Sequence, residues 1–492
     1  MNVLEYLNKN GIAISAVCGG EGRCGKCLVS IDGGDPVPAC RTEYVEGMDI
    51  RVPDAGADMK VLADATDAEA GEDSGHYGVA VDVGTTTIAG VLCDRGSGRV
   101  MGRATRLNSG RSFGADVISR IKAAGEGYSV EMQMKLRDDI KEVIAELIRS
   151  TGIRDIELIS LAGNTTMIHT LNGYYLPALG TYPYEPAHTE LIDSDAGRIL
   201  GYGEEFIRDT RTLVFPGVSA FVGSDIISGL YYLDAHNKGA KTYGMMDIGT
   251  NGEMALVKDG SIYVASTAAG PVFEGGEISC GTGSVPGAID HMKIGENGKA
   301  EYTVIADAAG RARPATGLCG SGVIDCVAEL IRTKRCSEHG TFASDVTDDS
   351  TVAIDAGYVI ARPPVGGRLV FTQDDMRHVQ LAKAAIAAGF EILCERAGLI
   401  GVDVEYVFLA GGMGNGIDTK AAIRIGMIPG VTDKSVRAVG NISLKGAVRL
   451  LTGSTEDRLG EISAIKNRCI AVDLASDPTF QERYVSHMDF DM

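Results

Sequence analysis

YGVAVDVGTTTIAGVL, residues 77–92, is repeated in outline by YGMMDIGTNGEMALV, residues 243–257. Each copy is an apolar run, then Asp-x-Gly-Thr, then a second apolar run. The pattern predicts strand, tight turn, strand. Asp82 and Asp247, which close the first run of each copy, are 165 positions apart, as two related halves of one body would place them. Such a turn aims backbone N–H groups and threonine hydroxyls at an oxygen-rich ligand, and its aspartate can hold Mg2+ through water. Gly84, Thr85 and Thr86 form the first turn; Gly249, Thr250, Asn251 and Gly252 form the second. Two such turns facing each other would grip the phosphates of a nucleotide from both sides. Seen once, Asp-x-Gly-Thr is a common turn; seen twice in matching context, it is specific.

VFLAGGMGNGID (407–418) supplies a third element, in which an apolar strand opens into Gly411, Gly412, Gly414 and Asn415 ahead of a helix, TKAAIRIGM. A glycine turn feeding a helix N-terminus suits a ribose or phosphate, although the motif is weak alone. Glu253, two residues past the second turn, reads either as a metal neighbour or as a solvated strand residue. Thr372 with Asp375 reads as a capping box, so that helix is structural first, with Gln380 a minor candidate. His169 reads as a core histidine, and Cys93, Cys280, Cys319, Cys326, Cys336, Cys394 and Cys469 as small buried hydrophobes. GPVFEGGEISCGTGS (270–284) has no part in this phosphate logic; it either borders the ligand or meets a partner.

At 492 residues the chain exceeds one hydrophobic core, and roughly two to four domains are expected. Its 65 glycines exceed the ordinary share of ~7% and cluster beside Asp, Thr and Asn. A formal charge of −20 repels nucleic-acid phosphates. The N-terminus lacks the basic stretch and long apolar core of a signal peptide. No segment reaches the ~18 uninterrupted apolar residues that suggest a membrane span. Eleven cysteines, of which four are tightly grouped, do not make a secreted disulfide framework. A cytoplasmic protein is expected.

Residues 1–53 read as a small α+β unit, with a helix in LEYLNKNGI ending at Gly11, strands in CLVSI (27–31) and MDIRV (48–52), and a turn between them. Residues 54–76, rich in Ala, Asp, Glu and Gly, read as a flexible acidic linker. Strands then alternate with helices, an α/β pattern, divided here into 77–240 and 241–492. Within the first unit, CGGEGRCGKC (18–27) places Cys18, Cys24 and Cys27 at C-x5-C-x2-C, and twelve residues separate Cys27 from Cys40. Three thiolates on one loop and one from a distant strand is how plant- and vertebrate-type 2Fe–2S clusters are held. Gly19, Gly20, Gly22 and Gly25 let backbone N–H groups approach the sulfurs. A structural zinc site usually pairs two close-spaced knuckles, and only one is present; four unconnected thiols are the remaining reading.

The two turns and the glycine loop, in this order, resemble the actin, Hsp70 and sugar-kinase superfamily, whose two RNase H-like halves close over ATP. The resemblance covers residues 77–492. It implies phosphate loops at 82–87 and 247–252, an adenosine loop at 410–416, an interdomain helix in VGSDIISGLYYL (222–233) and a closing helix in GNISLKGAVRLL (440–451). Asp82 and Asp247 then coordinate Mg2+ through water or position the attacking water. Asp225 lies where such ATPases place a carboxylate facing the γ-phosphate; its plain alternative is a helix N-cap.

A ferredoxin unit tethered to this ATPase resembles, more narrowly, the reductive activators of corrinoid proteins. LAGNTTMIHTLNG (161–173), FPGVSAFVGSDI (215–226), DIGTNGE (247–253), GLCGSGVID (317–325), FTQDDMRHVQLAKAAIAAG (371–389) and DPTFQERYV (477–485) carry that likeness over nearly the full length. Against the family pattern the ferredoxin unit is trimmed at its start and before Cys40. The resemblance implies one electron passed from the cluster to cob(II)alamin of a corrinoid protein, restoring cob(I)alamin, with ATP and Mg2+ consumed, an upstream low-potential donor, and a possible homodimer. Plant-type clusters lie near about −400 mV, and the implied cobalt couple lies lower. Each ~59 mV uphill costs one electron about 1.4 kcal/mol, which a nucleotide-driven conformational change can offset.

Other assignments compete. An activator of 2-hydroxyacyl-CoA dehydratases takes a 4Fe–4S cluster from cysteines inside the ATPase, and no such pair is evident. A sugar or acid kinase with a sensory cluster would consume ATP only with its small-molecule acceptor. A chaperone-like ATPase with a redox-sensing cluster would gate binding without delivering electrons.

Overall fold

The structure, a computed structural model, describes residues 1–10, 12, 27–34, 37–52, 72–114, 116–201, 207–236, 239–307, 310–343, 357–363, 367–411 and 416–490. The expected linker up to residue 71 lies outside the described residues, as do Gly11, Cys18, Cys24, Gly412, Gly414 and Asn415.

The N-terminal head opens with α1 (Val3–Lys9), capped reciprocally by Asn2 and Glu5: each backbone N–H donates to the other's side chain, at 3.0 and 2.8 Å. β1 (Leu28–Ile31) pairs antiparallel with β2 (Val37–Pro38) and with β3 (Ile50–Arg51). The stretch expected to be only a turn therefore carries β2 and a 3-10 turn over Ala39–Arg41; two paired residues are too few to leave an alternating pattern in the sequence. Val3, Leu4, Leu7, Cys27, Val29 and Ala39 form the buried core. Only Val3, Leu4, Leu7 and Val29 of these are side chains worth about 1.5–3 kcal/mol each, and so small a core calls for a staple.

The chain divides into two compact units, Met1–Lys238 with Asn441–Cys469, and Gly239–Gly440 with Ile470–Met492. The first contains a six-stranded sheet of β4 (Tyr77–Val83), β5 (Thr87–Asp94), β6 (Val100–Leu107), β7 (Ile156–Gly163), β8 (Ile192–Asp195) and β9 (Arg211–Val214), ordered β6-β5-β4-β7-β9-β8. β4, β5 and β6 form an antiparallel meander, and β7 and β9 continue it in parallel. The long helix α3 (Ser129–Thr151), third after α2 (Val117–Ala123), turns Leu136, Ile140, Val143, Ile144 and Leu147 inward, the i, i+4, i+7, i+8 spacing of one helical face. Truncating Ile144 to Ala would cost about 2–5 kcal/mol. The helix stops at Gly152, whose left-handed φ of 75° ends it as a glycine C-cap.

The second unit repeats five strands of that order. β10 (Thr242–Ile248), β11 (Gly252–Lys258) and β12 (Ser261–Thr267) form the meander, and β18 (Tyr406–Ala410) and β19 (Val436–Gly440) run parallel beside β10. The intervening chain, β13 (Ala288–Ile294), β14 (Ala300–Val304), β15 (Gly317–Leu318), α7 (Gly320–Arg332), β16 (Gly357–Ala361) and β17 (Leu369–Thr372), is an insertion, followed by α8 (Gln373–Arg396). The capping box of α8 forms: Thr372 Oγ1 accepts from Asp375 N–H at 3.1 Å, and Asp375 returns the bond at 2.8 Å. Five strands of each sheet share one order and each set begins with an Asp-x-Gly-Thr hairpin, as the internal repeat predicts; the sixth strand lies beyond β9 in the first sheet and beyond β12 in the second. Among the described residues no helix is long and apolar enough to cross a membrane.

Candidate functional site

In the first unit, parallel pairing sets the surroundings of the first turn. Val83 lies opposite Gly163, so Gly84 and Thr85 leave the sheet beside Asn164, at the carboxyl ends of the strands where α/β proteins place ligands. Asn164 Nδ2 donates to Thr85 Oγ1 at 2.8 Å, while its Oδ1 caps α4 (Thr165–Asn172). Gly84 N–H closes the turn on Thr87 O at 3.1 Å, so tightly that a Cβ at Gly84 would lie 2.4 Å from that oxygen. Ser224, the first residue of α6 (Ser224–His236), donates to Gly163 O at 2.7 Å and accepts from Gly163 N–H at 2.9 Å. That brings Asp225 to the same end of the sheet. Asp225 lies inside the first turn of α6 rather than at an N-cap, and its Oδ1 accepts the N–H of Ile226 at 2.9 Å.

Asp82 is held from α10 (Ile442–Leu451), a helix of the same unit. Asn441 Nδ2 and Ser443 Oγ each donate to one Asp82 oxygen, both at 2.8 Å. Burial pushes the Asp82 carboxyl above the ordinary carboxylate range, and the two donors oppose that rise without cancelling it.

In the second unit, Gly249 N–H closes on Asn251 O at 3.2 Å, and Thr250 Oγ1 donates to Glu274 Oε2 at 2.6 Å. Glu274 ends the 3-10 turn Pro271–Glu274, which gives the glycine-rich stretch 270–284 a place beside the second Asp-x-Gly-Thr turn. The hairpin is one residue shorter than the first: Asp247 pairs with Glu253 six positions on, whereas Asp82 pairs with Ala89 seven positions on. Glu253 is therefore a same-face neighbour of Asp247, and at 7% exposure it is buried rather than solvated. Parallel pairing of Asp247 with Ala410 brings Gly411 alongside. Its φ is +115°, and a Cβ there would lie 2.6 Å from Ile248 O and 3.0 Å from Asp247 Oδ1; glycine is required. Thus the second turn, Gly252 at its exit, and the start of the glycine loop meet within one unit. Among the described residues no three acidic, cysteine or histidine side chains converge as a metal site.

In the head, Cys27 is 1% exposed and Cys40 half-buried. Ala39 N–H donates to Cys27 O at 2.6 Å and Cys40 N–H to Cys27 Sγ at 3.4 Å. A backbone N–H aimed at a cysteine sulfur is what an anionic thiolate cluster requires, so the described pair fits the expected cluster. The scattered cysteines behave as packing: burial pushes the Cys93, Cys394 and Cys469 thiols up to about 12, and they stay protonated. His169 is buried with Nδ1 at 2.9 Å from Thr165 O, and its Nε2 has no hydrogen-bond partner among the described residues.

Sequence reasoning missed Asn441, Ser443, Asn164, Asn108, Arg120 and Glu274. Asn164, Asn441 and Ser443 stood inside quoted phrases, each just past a strand that runs parallel to a neighbour, and that position was the available signal. Arg120 and Asn108 carry no motif.

Two sheets that share five strands in this order, each with an Asp-x-Gly-Thr turn, and a cysteine-bearing β head define an ATPase of the actin, Hsp70 and sugar-kinase (ASKHA) class with a ferredoxin-type domain. The chain matches family descriptions along its length: "2Fe-2S iron-sulfur cluster binding domain" over residues 1–55, "RACo middle region" over 77–238, and "C-terminal domain of RACo the ASKHA domain" over 241–492. It is 31% identical to the corrinoid activation enzyme RamQ of Eubacterium limosum, covering 98% of this chain and 94% of that protein. It is 26% identical to a [Co(II) methylated amine-specific corrinoid protein] reductase of Methanosarcina barkeri, over 84% of this chain and 77% of that one. A solved structure of a reductive activator for corrinoid, iron-sulfur protein superposes with a TM-score of 0.75 at 26% identity, covering 100% of this chain and 95% of the other. The chain belongs to the RACo family of reductive activators of corrinoid proteins.

Proposed function

We propose that this protein uses ATP to pass one electron from a 2Fe–2S cluster in its head to the cob(II)alamin of a corrinoid protein, restoring cob(I)alamin for methyl transfer. The observation that carries this reading is the cysteine head joined to paired phosphate turns in a chain related, over 98% of its length, to a corrinoid activation enzyme. The partner is a corrinoid protein of a methylated-amine methyltransferase system, as the name of the Methanosarcina barkeri relative suggests, and a low-potential donor refills the head.

Cys18, Cys24, Cys27 and Cys40 hold the cluster. When bound, the cluster would supply the redox chemistry, one electron for each cobalt(II) reduced. The Cys40 N–H on Cys27 Sγ offsets negative charge on that sulfur. Gly84, Thr85 and Thr86 would receive phosphate oxygens, and in the second unit Gly249, Thr250, Asn251 and Gly252 would do the same, with Asp247 to orient Mg2+. Magnesium is usually held by one or two carboxylates together with the phosphates, and Glu253 supplies a second carboxylate beside Asp247. Asp82, its carboxyl raised by burial, is suited to take a proton from the attacking water. Asp225 would serve the γ-phosphate, and Gly411, Gly412, Gly414 and Asn415 would hold the ribose.

Anaerobic purification followed by metal analysis tests the head. The expected result is about two irons with matching sulfide per chain; zinc in place of iron overturns the assignment.

A further inference from the structure

Arg120, on α2, is a guanidinium 1% exposed to solvent. Its Nη2 donates to Thr85 O at 2.6 Å, its Nε to Gly114 O at 3.0 Å, and its Nη1 meets Met167 Sδ at 3.3 Å. Among the described residues no carboxylate forms an ion pair with it. The acids whose fields reach it are engaged elsewhere: Asp139 binds Arg106 and Ser109, and Asp116 caps α2 through Ser119. Burial lowers its pKa, to about 9, and it stays charged at neutral pH. A buried charge whose direct partners are carbonyls and a thioether is costly.

Its neighbour is Asn108, also fully buried. Asn108 Nδ2 donates to Gly84 O at 2.8 Å and meets the same Met167 Sδ at 3.4 Å, while Asn108 N–H donates to Thr86 O at 3.0 Å. Three consecutive carbonyls of the first phosphate turn, those of Gly84, Thr85 and Thr86, thus point at one buried Arg-Asn pair. In a planar trans peptide the C=O and the following N–H point opposite ways. The N–H groups of Thr85, Thr86 and Thr87 are thereby turned away from the pair. Those of Thr85 and Thr86 have no hydrogen-bond acceptor among the described residues. Successive N–H groups facing one side make an anion-binding concavity.

We propose that Arg120, with Asn108, is a positioning residue for nucleotide phosphates: it pins the turn's carbonyls inward, presents the Thr85 and Thr86 amides to a polyphosphate, and places an unpaired positive charge behind them. This rests on the ATPase reading above. Arg120 touches no phosphate; it acts through the turn.

The test compares MgATP, magnesium tripolyphosphate and adenosine binding by calorimetry in the full-length protein and in Arg120→Gln and Arg120→Lys. Loss of a charge-assisted bond predicts about 10- to 100-fold weaker ATP and tripolyphosphate binding in Arg120→Gln, unchanged adenosine binding, and an intermediate loss in Arg120→Lys. Equal weakening of adenosine, or undiminished ATP binding by folded Arg120→Gln, overturns the proposal. If the variants do not fold, amide exchange in the unsubstituted protein decides: tripolyphosphate should slow exchange in the peptide covering Gly84–Thr87 and adenosine should not, and an absence of slowing overturns it. Failure of the unsubstituted protein to bind any nucleotide would instead overturn the ATPase reading, and this proposal with it.

Discussion

Asp82 carries a conflict that a single substitution can expose. Its carboxyl is raised by burial although Asn441 and Ser443 both donate to it. A carboxyl whose folded pKa lies above its unfolded value of ~3.9 costs no stability in acid, and the cost develops as pH rises through the folded pKa. Asp82→Asn should therefore melt at or above the parent temperature at neutral pH without nucleotide, with the gap closing in acid. Because the same carboxylate is proposed to act on water, ATP hydrolysis should fall by about 10²–10⁴-fold. A variant that is both less stable and fully active would contradict both statements. At Gly411, alanine would bring a Cβ against Ile248 O and Asp247 in a left-handed backbone. Gly411→Ala should cost about 1–3 kcal/mol, seen as a lower denaturation midpoint, and weaken ATP binding. The aspartates of both turns and Gly411 were legible in the sequence because strand ends followed by glycine leave a local signature. Arg120 and Asn108 were not, because they act from 20 or more positions away across the fold.

Among the elements, the head depends most on its ligand. Six buried apolar residues do not by themselves offset the ordering of some fifty residues at about 1–2 kcal/mol each. Chelating the metal, or replacing Cys24 with Ser, should abolish visible absorption and open residues 1–53 to protease, while the main melting transition and ATP binding stay unchanged. Retention of a protease-resistant head without metal would contradict this. The hairpins show what the repeat concealed: the two turns look alike as text, yet the second is a residue shorter, and this sets Glu253 rather than an alanine opposite the aspartate. A register difference of one residue reverses which side chains share a face, and no inspection of the motif alone reveals it. β2, two residues long, was invisible for the opposite reason: it is too short to have a period.

For the whole molecule, the order of modules was legible from the cysteine spacing and the duplicated turn, and five strands of each six-stranded sheet share the order that duplication predicts. Less legible was where the chain passes between them. α10, which follows β19, belongs with the first unit, since Asn441 and Ser443 answer to Asp82, a long-range pairing that no local pattern carries. The central claim is that nucleotide binding on these units drives an electron out of the head to cobalt against its potential. Reduced protein, prepared anaerobically, should be mixed with a methylated-amine corrinoid protein in the cob(II)alamin state and the cobalt spectrum followed with and without MgATP. Conversion to cob(I)alamin that is faster with MgATP, and lost in Cys24→Ser and slowed in Asp82→Asn, is the predicted result; a cobalt spectrum unchanged whether or not MgATP is present would contradict it.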